Sequence, residues 1–495
     1  MTSPTHLLED TLLSIFGFSS FREGQREIIQ TIIDNKDVIG ILPTGSGKSL
    51  CYQMYAMLTD RPVLVVSPLI ALMEDQVRHL KKLNIPATCL HSQLTENEFL
   101  EICLNIRNYK LIYVSPERVQ TAFFIEKILK TISFSLFAID EVHCVSHWGH
   151  DFRKDYTQLS ILRDSVPNVR IMALTASATP NVIRDVVLQL HFKKEEYKCL
   201  MYGFYRPNLF YRVSLVSTKQ DKLSELHKII QQQKTGRILI YCGTRQLCQD
   251  VAVFVKTFEP KVGYYHAGMT NEDRRRIKET YDHGDIRILA ATNAFGMGID
   301  HPDVRIVVHF RMPSDLDHLY QEMGRAGRDG QPAECILFWS SKDRSLQNYF
   351  IVQSDHHDKR ILYFRLCKLT EYAEQRQGCR HKSILDYYYQ DEKMTMSYLR
   401  NGKCGHCDLC NQNGKTPTKS SLPYTIVSSI ETQLKKWRQQ QAENERVPLF
   451  CILSNQTIRD LIENRPKDIH QLSKIKGIGR KRIEKYASSL LQIFQ

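Results

Sequence analysis

Short apolar runs rich in β-branched residues recur along most of this chain, and their repetition constrains the fold more than any other feature. DVIGIL from residue 37, PVLVVSP from 62, KLIYVSP from 110, LFAIDE from 136 and VRIMALTAS from 169 are each followed by a turn and a helix-like stretch. Runs this continuous fit strands buried on both faces, because a strand with one wet face would alternate. The pattern pauses at GFYRPNLFYRV, 203–213, and resumes with GRILIYCGT, KVGYYHAG, IRILAATNAFGMG, VRIVVHF and AECILFWS. Two α/β units with mostly parallel sheets are therefore expected, meeting near residues 200–210 and enclosing a cleft.

After Ser341 the strand runs stop and helix-like, aromatic-rich sequence leads into a cysteine cluster. NQNGKTPTKSSLPY, 411–424, reads as a linker, and a small helical unit follows from about 426. Residues 431–495 hold 13 Lys or Arg against 7 Asp or Glu, so this last unit is basic. The whole chain carries +13, a bias toward polyanionic partners that many proteins binding no nucleic acid share. The N-terminal stretch has acids and no long apolar core, and no apolar run approaches about 18 residues, so neither a secretory signal nor a spanning helix is expected.

Leu42-Pro43-Thr44-Gly45-Ser46-Gly47-Lys48-Ser49 follows an apolar run and precedes a helix. Backbone donors of such a loop suit polyphosphate oxygens; Lys48 would reach the β and γ phosphates and Ser49 would hold magnesium. Leu42 stands where the strict phosphate-loop pattern has its first glycine. Asp140-Glu141, closing the run LFAID, would hold magnesium through Asp140 and polarise the attacking water through Glu141, although an acidic pair in isolation is more often a helix cap. In QEMGRAGRDG, 321–330, Arg328 is the candidate finger for charge building on the transferred phosphoryl group, with Arg325 as its helper. Cys404, Cys407 and Cys410 lie within seven residues, with Cys379 upstream; four thiolates would close a structural zinc site, though His406 could replace one of them.

These motifs together resemble the RecQ family of DNA helicases, within superfamily 2, over roughly residues 5–410 and again from 426 to 490. The resemblance implies an α/β fold class of two RecA-like, mostly parallel sheet domains (1–205 and 206–345), a helical zinc-binding subdomain (346–412), a linker (413–425) and a small helical HRDC-like domain (426–495). It implies ATP-dependent 3′ to 5′ translocation on single-stranded DNA with duplex opening in recombination, repair or replication, and ATP, Mg2+ and Zn2+ as cofactors. Carried over residue by residue, Phe18, Arg22 and Gln25 match the adenine-reading segment. Thr44, Gly45, Ser46 and Gly47 match the phosphate loop, and Gly298 and Asp300 match a segment that contacts ATP. Ser67, Pro68, Gln76, His266 and Thr292 match segments near single-stranded DNA, and residues 173–179 match the one linking hydrolysis to domain movement. His147, Trp148, Phe152 and Arg153 match an aromatic-rich DNA-sensing loop; Trp148 and Phe152 would stack on bases and Arg153 would meet phosphate. The four cysteines match the family's zinc ligands. Lys476, Arg480 and Lys481 flank the Gly477-Ile478-Gly479 turn of the HRDC-like tail, which binds either DNA or protein.

Many family members insert a winged-helix domain between zinc module and tail, and here only the linker stands there. A DNA-stimulated translocase or remodeller with little unwinding is therefore the main alternative, ahead of an RNA helicase or a scaffold. Expected partners are single-stranded and forked duplex DNA, with single-stranded-DNA-binding or recombination proteins as further candidates and no membrane. The expected state is a monomer, and the expected compartment is intracellular, the bacterial cytoplasm ahead of the nucleus.

Overall fold

A computed structural model describes residues 4–149, 151–295, 301–354, 356, 358–411, 424–445, 452–453, 455–466, 468–475 and 477–494. Where the sequence holds its unbroken apolar runs, strands form and are buried on both faces. The first sheet contains β1 (Asp37–Ile41), β2 (Val63–Val66), β3 (Ala87–Leu90), β4 (Leu111–Val114), β5 (Leu136–Ile139), β6 (Arg170–Thr175) and β7 (Tyr197–Met201), in the order β3-β4-β2-β5-β6-β1-β7. The second sheet contains β8 (Leu209–Leu215), β9 (Arg237–Tyr241), β10 (Val262–Tyr265), β11 (Ile288–Ala291), β12 (Val304–His309) and β13 (Ala333–Trp339), in the order β10-β11-β9-β12-β13-β8. Every pairing between these strands is parallel.

Three strands, β3, β7 and β8, have no counterpart among the runs read from sequence. Each lies at the edge of its sheet. β7 and β8 carry polar residues on a half-exposed face, so their sequences lack the continuous apolar signature. The pause at 203–213 thus hides β8, which pairs with β13 from Leu209–Ala333 to Leu215–Trp339.

Pro68, Glu141 and Asn293, just past the C-terminal ends of β2, β5 and β11, line the cleft, the usual place for ligands in parallel α/β folds, whereas Gly327 lies against Val304 at the start of β12. One apolar core runs through both domains and into the zinc subdomain, including Ile39, Val66, Phe204, Tyr211, Tyr320, Leu369 and Cys407. Phe204, at the domain junction, stacks on Tyr388 at 4.3 Å. The C-terminal helices enclose a separate core built on Leu434, Leu453, Leu461, Leu472 and Leu490.

Candidate active site

Residues 42–47 join β1 to the Lys48–Met57 helix and form a loop whose backbone amides and helix N-terminus converge. Gly45 (φ 81°) and Gly47 (φ 78°) hold left-handed conformations that side chains resist. The loop is braced from behind: Gln25 Nε2 donates to the Ser46 and Gly47 carbonyls at 2.8 and 3.0 Å, and the Arg22 guanidinium donates to the Gly45 carbonyl. Arg22 and Gln25 therefore position the loop, and Phe18 is exposed. Lys48 Nζ lies 3.4 Å from the Leu42 carbonyl. Thr44 Oγ1 and Ser46 Oγ are buried with no hydrogen-bond partner among the described residues, as donors awaiting phosphate oxygens would be.

Asp140 leaves β5 buried beneath this loop, and its Oδ1 accepts the Glu141 amide at 3.0 Å. Burial, then the neighbouring Glu141, pushes the Asp140 pKa up; Lys48 opposes both. Burial would raise Glu141 as well, but the His143 hydrogen bond and the Lys48 charge outweigh it and leave Glu141 below its usual range. Two adjacent carboxylates at a buried strand end are hard oxygen donors of the kind magnesium takes, so the residues present fit the ion. His143 Nδ1 lies 3.3 Å from Glu141 Oε2 and 2.8 Å from Thr175 Oγ1, tying the acidic pair to the 173–179 segment.

Across the cleft, the Leu316–Met323 helix leads into Arg325 and Arg328. Arg328 lies so close to the phosphate loop that a Cβ on Gly45 would come within 2.7 Å of its Cδ. Arg325 is buried and helps to hold the Glu141 pKa down. The turn between the two arginines is clamped from the domain junction: Arg206 Nη2 donates to the Ala326 and Gly327 carbonyls at 3.1 and 2.9 Å, and Asn208 Nδ2 to Gly327 at 2.8 Å. Sequence reasoning missed this clamp because Arg206 and Asn208 sit in the apparent pause; the only sign of it was polar residues beside a strand.

A cavity between the domains is lined by Pro68, Glu141, Arg153, Asn293, Gln321 and Arg325, among others. The aromatic-rich loop borders it. Arg153 donates to the Pro68 carbonyl at 2.7 Å and to Asp151 at 3.2 Å; Phe152 stacks on His147 at 3.7 Å, and Trp148 meets Phe364 edge-on at 5.9 Å. Ser67 is buried after β2, and Gln76 accepts from Gln53 at 2.8 Å. His266 follows β10 and faces Gln249 at 3.2 Å, while Thr292 follows β11 with its amide on the Tyr265 carbonyl. Ser67, His266 and Thr292 follow the C-terminal ends of their strands, and Gln76 lies within the Ile70–Lys82 helix. Gly298, Asp300 and Lys476 lie outside the described residues, as do the side chains of Arg480 and Lys481.

The sulfurs of Cys379, Cys404, Cys407 and Cys410 lie within 4.8 Å of one another. Cys404 and Cys410 are 3.8 Å apart, which matches the edge of about 3.8 Å for a tetrahedron with Zn–S bonds of about 2.3 Å. Amides of Arg380, Cys404 and His406 point at Cys407, Cys379 and Cys404 sulfurs at 3.3–3.5 Å, as donors to thiolates do. His406 Nδ1 is instead occupied 2.7 Å from the Cys404 carbonyl. The four cysteines form a zinc-binding cluster, and it is sewn to the second sheet. The Asp408 amide donates to the Tyr211 carbonyl, Asp408 Oδ2 accepts the Val213 amide at 3.0 Å, and His381 stacks on Tyr211 at 4.3 Å.

Four family models match in succession: DEAD/DEAH box helicase over residues 22–186, helicase conserved C-terminal domain over 221–330, RecQ zinc-binding over 341–411 and HRDC domain over 429–494. No winged-helix match falls between the last two. The chain is 38% identical over 383 residues to the probable ATP-dependent DNA helicase RecS of Bacillus subtilis, covering 77% of this chain and 76% of that one. It is 33% identical over 486 residues to the ATP-dependent DNA helicase RecQ of Pasteurella multocida, covering 98% of this chain and 73% of the relative. The DNA-bound structure of the DUF1998 helicase MrfA superposes with a TM-score of 0.57 at 16% identity, covering 80% of this chain and 60% of that one, a likeness of fold. With loop, acidic pair, arginines and zinc cysteines in one architecture, the chain belongs to the RecQ family of superfamily 2 ATP-dependent DNA helicases.

Proposed function

We propose that this enzyme hydrolyses ATP in the interdomain cleft to move 3′ to 5′ along single-stranded DNA and open the duplex ahead, in recombination, repair or replication. The observation that carries the reading is Arg328 lying against Gly45, which brings the second domain's arginine to the first domain's phosphate loop. The loop amides, Lys48, Thr44 and Ser46 bind and orient the phosphates. Glu141 takes the proton of the attacking water as its oxygen bonds to the γ phosphorus and the bond to the β-bridging oxygen breaks, leaving ADP with that electron pair. Arg328 and Arg325 stabilise the charge that builds on the phosphoryl oxygens. Magnesium, held by Ser49 and Asp140, would supply Lewis-acid neutralisation of the phosphates. Closure with nucleotide and reopening after hydrolysis alternate the grip on DNA along the strand-end segments and the aromatic-rich loop.

The deciding experiment follows opening of 3′-tailed, 5′-tailed and blunt duplexes with ATP turnover measured in the same tubes. Opening of the 3′-tailed substrate alone is expected. DNA-stimulated turnover without opening would instead favour a translocase or remodeller, a reading supported by residues 412–428 being all that separates the zinc-binding and HRDC matches. Lys48→Ala should abolish turnover while DNA binding survives; normal turnover would remove the ATP site from this loop.

A further inference from the structure

The helix that ends at the two arginines is gripped at its other end by the zinc subdomain. Asp315 caps it: Oδ1 accepts the His318 amide at 2.8 Å, and Oδ2 accepts Arg365 Nη2 at 2.5 Å. Arg365 belongs to the Lys359–Glu374 helix and is only 5% exposed. Its other terminal nitrogen, Nη1, donates to the Gly149 carbonyl in the aromatic-rich loop at 3.1 Å. Gly149 is itself pressed onto the segment after Glu141, since a Cβ there would lie 2.1 Å from the His143 carbonyl oxygen. One residue before Arg365, Phe364 meets Trp148. The Tyr387 and Tyr388 hydroxyls donate to Asp317 at 2.6 and 3.0 Å, so a second zinc-subdomain helix holds the same helix start.

A guanidinium is a rigid fork, so Gly149 and Asp315 can both be served only while loop and helix keep one separation. If the loop shifts, either the fork and Asp315 follow, or a buried donor or acceptor is left unmet; such a joint favours two discrete arrangements over a continuum. We infer that Arg365 is a positioning residue that ties the state of the aromatic-rich loop to the placement of Arg325 and Arg328. This rests on the proposed DNA-stimulated ATPase and deepens it by naming the connection, which runs through the zinc subdomain and not only through Glu141 and His143.

The test compares wild type, Arg365→Lys, Asp315→Asn, Trp148→Ala and Arg365→Lys with Trp148→Ala, measuring ATP turnover with and without a saturating oligothymidylate. Lysine keeps a charge beside Asp315 but cannot fork to both acceptors; asparagine keeps a cap but not the ion pair. Both should retain DNA-free turnover, ATP KM and oligothymidylate affinity by anisotropy while DNA-stimulated kcat falls by about tenfold or more. The double variant should be no worse than its worse single parent. Equal falls with and without DNA, or multiplying effects in the double variant, would overturn the inference and leave Arg365 a structural ion pair. Absence of DNA stimulation in the wild type would instead defeat the proposed function beneath it, so the two failures are distinguishable.

Discussion

Glu141 adopts φ 48°, a left-handed backbone that bulky side chains avoid at a cost of about 1–2 kcal/mol. That turn directs its carboxylate beside His143 and into the cleft cavity that Arg325 also lines. If it takes the proton from water, Glu141→Gln should lower kcat by about 10²–10⁴-fold while ATP affinity is retained. A fall of less than about tenfold in single-turnover hydrolysis would move that role elsewhere. Lys48, Asp140, Glu141 and the two arginines were legible because each sits in a compact local pattern. The Arg206 clamp and the Arg365 fork were not, since the first joins residues 120 positions apart, the second residues 50 and 216 apart, and a lone arginine carries no local signal. Arg153 illustrates the same limit: its charge was readable, but its bond to the Pro68 carbonyl depends on a strand end 85 positions away.

At the level of elements, the Leu316–Met323 helix depends on charge at its start. Burial is the largest influence on Asp315 and His318 and opposes both charged forms. Arg365 and His318 nevertheless hold the Asp315 pKa down, and Asp315 holds the His318 pKa up. The lowered acid contributes stability above about pH 4 that is lost only as pH falls through its folded value. The raised histidine contributes fully below about pH 6.5 and loses its contribution as pH rises through its folded value. The Tm gap between wild type and His318→Gln should therefore be widest in mild acid and narrow toward alkaline pH; a gap that widens with pH would refute the pairing. The zinc knuckle and β8 form a second coupled pair, because Asp408 bonds both Tyr211 and Val213. Chelation of zinc should raise hydrogen exchange in 379–410 and in β8 together, while β1 and β5 stay protected. Unchanged exchange in β8 would show that the strand stands without the knuckle. Interior strands were legible because burial on both faces writes a continuous apolar run; of the edge strands β3, β7, β8 and β10, only β10, with its Val-Gly-Tyr-Tyr run, was legible too.

For the whole molecule, the decisive feature is how the cores are divided. One core links both sheet domains to the zinc subdomain, and each sheet shares its strands between that core and a further one on its other face, so these should unfold as one cooperative body. The tail's core is separate, and residues 412–428 join the two matched regions. Lys278 also bridges from the Asn271–His283 helix to Asp75 of the first domain at 2.7 Å, but such a partly exposed pair contributes only about 0.2–1 kcal/mol and cannot hold the cleft by itself. On the proposed mechanism, closure depends on nucleotide between Gly45 and Arg328 and on the Arg365 fork, all of which lie within residues 1–411. A chain ending at 411 should keep DNA-stimulated kcat and lose one minor thermal transition. Because the tail adds net positive charge, the shortened chain should bind single-stranded DNA more weakly, with a shallower dependence of log affinity on log salt. If kcat instead falls with the tail while the salt slope is unchanged, the tail acts on the motor and not on DNA, and the division of cores does not mark a division of labour.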